Sequence, residues 1–128
     1  GVVDCLATDH APHLQSEKEL EFLAAPFGIA SLECALSLYV KALVEPGVIG
    51  WNELISLMTH QPAKVIGIEK GTLTPGSQAD VTIIDPNAEY VIDAENFYSK
   101  SRNCPYLGWK VKTRVEKTFV AGELRFER

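Results

Sequence analysis

The residues most able to do chemistry stand together near the start of the sequence, in the run Thr8-Asp9-His10-Ala11-Pro12-His13. A carboxylate accompanied by two imidazoles can bind a divalent metal or move a proton near neutral pH. A catalytic zinc site needs about three protein ligands and an open position, and one Asp with two neighbouring His on an irregular loop is poor geometry for a whole set. Asp9 would therefore complete a site whose other ligands lie elsewhere. The same spacing also fits a loop aspartate with two solvated histidines, and spacing alone does not choose between them. A second candidate is Ala25-Pro26-Phe27-Gly28-Ile29. Gly28 beside a helix start would let backbone N–H groups approach an anion such as a substrate carboxylate. The plainer reading is an ordinary Pro-Phe-Gly lead into a helix, with Phe27 as an apolar plug. Glu17 and Lys18 read as a solvated turn, His60 as a cap or packing residue, and Cys34, Trp51, Tyr106 and Trp109 as packing groups.

These residues need elements to position them. Val2, Val3 and Leu6 make Gly1–Leu6 read as a buried strand that would end just before Asp9. In a parallel barrel, that end of a strand is where catalytic groups are carried. The stretch from Ala7 to about Phe27 is long for a loop, and loops beyond roughly 12–15 residues are usually functional or disordered. Ser16 and Glu19 stand in capping-box relation around one helical turn. From Gly28, Ile29, Leu32, Leu36, Tyr39 or Val40 and Leu43 recur at helical spacing up to Pro46-Gly47. Further helices are predicted over Trp51–Met58 and from Pro62 to near Gly67. The pattern then turns to β. Val81–Asp85 is a short strand broken by Pro86, and Val111–Phe119 alternates as a half-buried strand that Ala121-Gly122-Glu123 folds back into Leu124 and Phe126. A boundary is placed near Glu69–Thr72.

Length and charge bound the rest. At 128 residues the chain is one domain's worth by the prior of roughly 100–200 residues per domain. Its net charge of −5 argues against nucleic acid as a partner. No apolar run approaches the roughly 20 residues of a membrane span. Three widely spaced cysteines, Cys5, Cys34 and Cys104, argue against a disulfide framework and fit a reducing, cytoplasmic setting. Opening inside an apolar strand, without initiator Met or leader, the sequence reads as a piece of a longer polypeptide.

The runs Ala7–His13, Glu17-Lys18, Ala25–Ile29 and Leu32-Glu33, in that order and spacing, resemble the C-terminal part of bacterial-type dihydroorotases of the amidohydrolase superfamily. Gln61-Pro62-Ala63-Lys64, Gly67, Lys70–Leu73, Pro75-Gly76, Ala79-Asp80, Asn103–Tyr106 and Gly108-Trp109 extend the resemblance over nearly the whole chain. Dihydropyrimidinases and allantoinases are similar around the Asp-His pair but typically lack a second His at the place of His13. The resemblance implies an α/β fold: residues 1–69 as the last strand and helices of a TIM-barrel metal-dependent hydrolase, and 70–128 as part of a small β-sandwich domain. It implies zinc as cofactor, with Asp9 as metal ligand and catalytic acid/base, and His13, Phe27 and Gly28 binding the substrate carboxylate. The implied reaction is reversible hydrolysis of dihydroorotate to N-carbamoyl-L-aspartate in pyrimidine biosynthesis. The remaining metal ligands would lie upstream, so the chain alone is expected to be inactive. Another cyclic amidohydrolase, or a non-catalytic dihydroorotase-like partner of aspartate transcarbamoylase, is the alternative. A homodimer and association with aspartate transcarbamoylase are the protein partners the resemblance allows.

Overall fold

The computed structural model describes residues 2–128. It is an α/β chain in which short helices precede a three-stranded antiparallel sheet. The helices are α1 (Gln15–Lys18), α2 (Ala35–Tyr39), α3 (Trp51–Met58) and α4 (His60–Ile66), and the strands are β1 (Val81–Val91), β2 (Lys110–Val120) and β3 (Glu123–Glu127), ordered β1-β2-β3. Among the described residues no helix is long and apolar enough to cross a membrane.

The expected opening strand does not form. Residues 2–9 have no strand pairing, and Val2 and Val3 are exposed; Gly1 lies outside the described residues. A parallel strand needs neighbours to satisfy its backbone. Here Leu6 N–H reaches only the Leu57 carbonyl, at 3.0 Å, and the nearest approach to a ladder is one parallel bridge between His10 and Ile29. That bridge also corrects the predicted helix start. Ile29 is extended, and the helical run begins later, as a 3-10 turn over Leu32–Cys34 that leads into α2 and ends in a π turn over Val40–Val44. The capping relation shifts as well: Leu14 N–H donates to Glu17 Oε2 at 3.0 Å, in place of the expected Ser16–Glu19 pair.

Elsewhere local chemistry explains the elements. Pro62 sits in the first turn of α4, where its missing N–H costs no helical hydrogen bond. Gly67 ends the helix in the left-handed region, with φ 74°. β1 does not stop at Pro86. The register breaks between Asp85 and Glu89, so Pro86 falls in a bulge, where a strand proline is tolerated, and pairing resumes to Val91. Ala121 and Gly122, with φ of 52° and 82°, form the tight turn of the β2–β3 hairpin.

The core lies between the helical and β parts. Cys34, Ile92, Cys104 and Val111 are buried together, with Leu38, Tyr90, Phe97 and Tyr106 against them. Cys34 and Cys104 carry free thiols with sulfurs 4.0 Å apart. Burial, reinforced by Cys104, pushes the Cys34 thiol up to about 12, so it packs as an apolar group. A polar junction lies beside them. The Ser37 hydroxyl donates to the Thr113 carbonyl at 2.7 Å and accepts from Tyr90 Oη at 2.6 Å. Thr113 is fully buried, has φ 78°, and donates through Oγ1 to the Pro86 carbonyl at 3.1 Å. One hydroxyl of α2 thus ties both strands at the bulge.

Two stability predictions follow from these junctions. Ser37→Ala leaves a buried carbonyl and the Tyr90 hydroxyl without a partner, and should cost about 1–3 kcal/mol; an unchanged thermal midpoint would rule out the junction. Asp80 accepts from Lys70 Nζ at 2.7 Å and from Ala121 N–H at 2.8 Å, which holds its carboxyl below the ordinary value of 3.8. A carboxyl depressed in the folded state adds stability that is full above its unfolded value and fades as pH falls through the folded one. The Asp80→Asn variant should therefore unfold more easily than the parent at neutral pH, with the gap closing in acid below that ordinary value. A gap constant with pH counts against it.

Candidate active site

Two segments distant in sequence run side by side at the site: the loop Thr8–His13 and the stretch Pro26–Leu32. Their approach depends on Gly28, whose φ is 130°. A Cβ there would sit 2.7 Å from Ala11 Cβ, 2.8 Å from the Ala11 carbonyl oxygen and 3.1 Å from His13 Cδ2. Only glycine permits both the dihedral and the contact. Gly28 is therefore required for close approach, and it does not stand at a helix start as expected from the sequence.

Hydrogen bonds then fasten the pair. Ala11 N–H donates to the Ile29 carbonyl at 3.0 Å. His13 Nε2 donates to the Phe27 carbonyl at 2.8 Å, while its Nδ1 lies 3.5 Å from Glu17 Oε2. Lys18 Nζ donates to the carbonyls of Pro26 at 2.7 Å and Gly28 at 3.2 Å. Asn103 Nδ2 donates to the Gly28 carbonyl at 2.9 Å. The turn Glu17-Lys18 is therefore part of the site, which corrects its reading as a solvated turn: the glutamate faces His13, and the lysine carries positive charge to the Pro26–Gly28 backbone. Lys18 stood out only as part of the Glu17-Lys18 run that carries the resemblance, because by residue type a lysine in a charged turn is ordinary. Phe27 is 96% exposed, so it does not plug the fold, and its carbonyl is the group that faces His13.

Of the four candidate residues, His13, Phe27 and Gly28 come together in this way. Asp9 sits on the same loop with its side chain exposed and a left-handed φ of 45°. Among the described residues no group of three His, Cys, Asp or Glu side chains converges for a metal ion. An exposed carboxylate fits a metal centre as one oxygen donor, with the other ligands supplied from beyond these residues. His60 faces Ser56 Oγ at 3.4 Å, apart from the loop.

The sequence matches the Amidohydrolase family over residues 1–125. It is 48% identical over 128 residues to the dihydroorotase of Geobacter metallireducens, covering 100% of this chain and 30% of that protein. It is 49% identical over 127 residues to the dihydroorotase of Citrifermentans bemidjiense, covering 99% and 30%. In structure it superposes on L-hydantoinase (dihydropyrimidinase) from Arthrobacter aurescens with a TM-score of 0.90 at 32% identity, covering 99% of this chain and 29% of that one. The dihydropyrimidinase of Brevibacillus agri NCHU1002 gives a TM-score of 0.90 at 25% identity, covering 97% and 28%. The chain thus spans about three tenths of the length of the dihydroorotases it matches. With the match running through the Asp9 loop, Gly28 and the sheet alike, the chain belongs to the amidohydrolase family.

Proposed function

We propose that this chain is the C-terminal part of a dihydroorotase, with residues 1–69 ending the catalytic barrel and 70–128 belonging to a small β domain. In the complete protein it would interconvert dihydroorotate and N-carbamoyl-L-aspartate. The observation that carries this reading is the convergence of His13, the Phe27–Gly28 backbone and Lys18 on one side of the Asp9 loop. A substrate that bears a carboxylate on its ring needs hydrogen-bond donors beside the group that moves protons, and His13 and Lys18, which donate to the Phe27, Pro26 and Gly28 carbonyls, are the donors this chain places there. A neutral cyclic amide such as hydantoin has no such need. Relatives named dihydroorotase are also nearer in sequence, at 41–49% identity, than the hydantoinase structures cited above, at 25–32%.

The residues divide the work as follows. His13 exchanges its Nε2–H bond to the Phe27 carbonyl for one to the substrate carboxylate, and the Gly28 N–H approaches the same group. Lys18 adds positive charge behind them. This orients the ring so that its amide faces Asp9. Asp9 takes a proton from the attacking water and returns it to the ring nitrogen as the C–N bond breaks, leaving a ureido group and a carboxyl that loses its remaining proton to solvent. Asp9 would also be the oxygen ligand this chain gives to zinc. Zinc, when bound, supplies carbonyl polarisation and acidification of water.

The test uses the complete zinc-loaded enzyme with dihydroorotate, hydantoin, dihydrouracil and allantoin. Turnover of dihydroorotate alone is expected; turnover of hydantoin without dihydroorotate overturns the assignment, and no turnover of any of them favours a non-catalytic partner. Asp9→Asn should lower kcat by about 10²–10⁴-fold, the span of general acid–base catalysis. His13→Asn should raise KM for dihydroorotate at least tenfold by the loss of a charge-assisted bond, and Gly28→Ala should do the same by forcing Ala11 and His13 away from the Phe27–Gly28 stretch. An unchanged KM in both would remove the carboxylate subsite.

A further inference from the structure

His10 is absorbed by none of the roles above, yet it is the most constrained side chain of the loop. Its Nδ1 accepts from two backbone groups, Ser31 N–H at 3.1 Å and Leu32 N–H at 3.2 Å. Ser31 immediately precedes the 3-10 turn that starts the α2 run, so these are N–H groups that a helix start leaves without partners. A serine there would ordinarily cap them with its own hydroxyl. Ser31 does not, because its Oγ donates to the Thr8 carbonyl at 3.1 Å. The cap comes from His10 instead, 21 residues earlier.

Two consequences follow from this exchange. First, a nitrogen that accepts from two N–H groups carries no proton of its own, so the ring holds its proton on Nε2. Second, Asp9 is gripped on both sides by one residue: Ser31 Oγ holds the carbonyl before it and Ser31 N–H holds the ring after it. Asp9 has a left-handed φ of 45°, a conformation that persists in a non-glycine residue only when its surroundings impose it. Ser31 is itself buried, and Ala30 N–H donates to the Asn103 carbonyl at 2.8 Å. Asn103 also bonds the Gly28 carbonyl. The clamp therefore joins Asp9 to the same stretch that carries Phe27 and Gly28.

We propose that His10 is a positioning residue: its unprotonated Nδ1, acting with Ser31, sets the Asp9 carboxylate in register with the Phe27–Gly28 subsite. It rests on the proposed function for the subsite, for Asp9 as zinc ligand and acid/base, and for the choice of substrate. What matters is the acceptor at one ring position. Asparagine places Oδ1 near the position of Nδ1, whereas glutamine places its oxygen farther out and leucine has no acceptor.

The series is measured in the complete zinc-loaded enzyme. His10→Leu and His10→Gln should lower kcat at least tenfold and weaken zinc retention against a chelator about tenfold, with KM for dihydroorotate within threefold. His10→Asn should recover both to within threefold of the parent. The proposal fails if the leucine variant keeps kcat and zinc, or if asparagine does as badly as leucine, because the acceptor would then not be what matters. Should the leucine variant not fold, ¹⁵N spectra of the unmodified enzyme decide: an unprotonated His10 Nδ1 with a protonated Nε2 supports the clamp, and a protonated Nδ1 overturns it. If the parent turns over another cyclic amide but not dihydroorotate, the substrate reading falls while the same variants, assayed with that amide and for zinc, still test His10.

Discussion

The absence of a side chain at Gly28 is the constraint on which the site depends. A single methyl group there would collide with Ala11 and press on His13, and the loop Thr8–His13 could not lie against Pro26–Leu32. The polar contacts of the site gather along that seam. His13 reaches Phe27, Lys18 reaches Pro26 and Gly28, and His10 reaches Ser31 and Leu32. Each bond is modest by itself, about 0.5–1.5 kcal/mol net for a neutral pair, but all require the same separation. A seam of this kind gives a rigid placement of side chains without a large apolar core behind it.

The seam is held to the β part of the chain by two different means. One is apolar, the buried cluster of Cys34, Ile92, Cys104 and Val111. The other is polar, with Asn103 bonded to Gly28 and Ser37 bonded between Tyr90 and Thr113. The β part therefore does more than follow the helices. Through Asn103 it touches the carbonyl of the glycine on which the proposed carboxylate subsite rests.

The identities of the candidate residues were legible in the sequence, and much of their geometry was not. Asp9, His13, Phe27 and Gly28 could be singled out because their types carry chemistry and their order resembles a family pattern. The setting of Gly28 was misread, since a glycine before an apolar 3.6-residue repeat looks the same whether it begins a helix or lets two segments touch. Lys18 and His10 act through backbone carbonyls and N–H groups 8 to 22 residues away, and such bonds leave no pattern of residue types. The sheet was partly legible. Alternation revealed β2 and the Ala121-Gly122 turn, but Pro86 suggested an end to β1 where the strand instead bulges opposite a left-handed Thr113. The apolar run at the start read as a strand by composition, yet a strand is a property of pairs, and in this chain the run has no ladder to join.

In the complete enzyme Asp9 and the Gly28 seam would act on one bound molecule. The most direct measurement is a crystal structure of the complete enzyme with dihydroorotate and zinc, the metal located by its anomalous scattering. An Asp9 carboxylate oxygen is expected within about 2.2 Å of zinc, as carboxylate ligands are, with the substrate carboxylate against His13 and the Gly28 N–H. A zinc ion coordinated without Asp9, or a substrate carboxylate bound away from the seam, would contradict this.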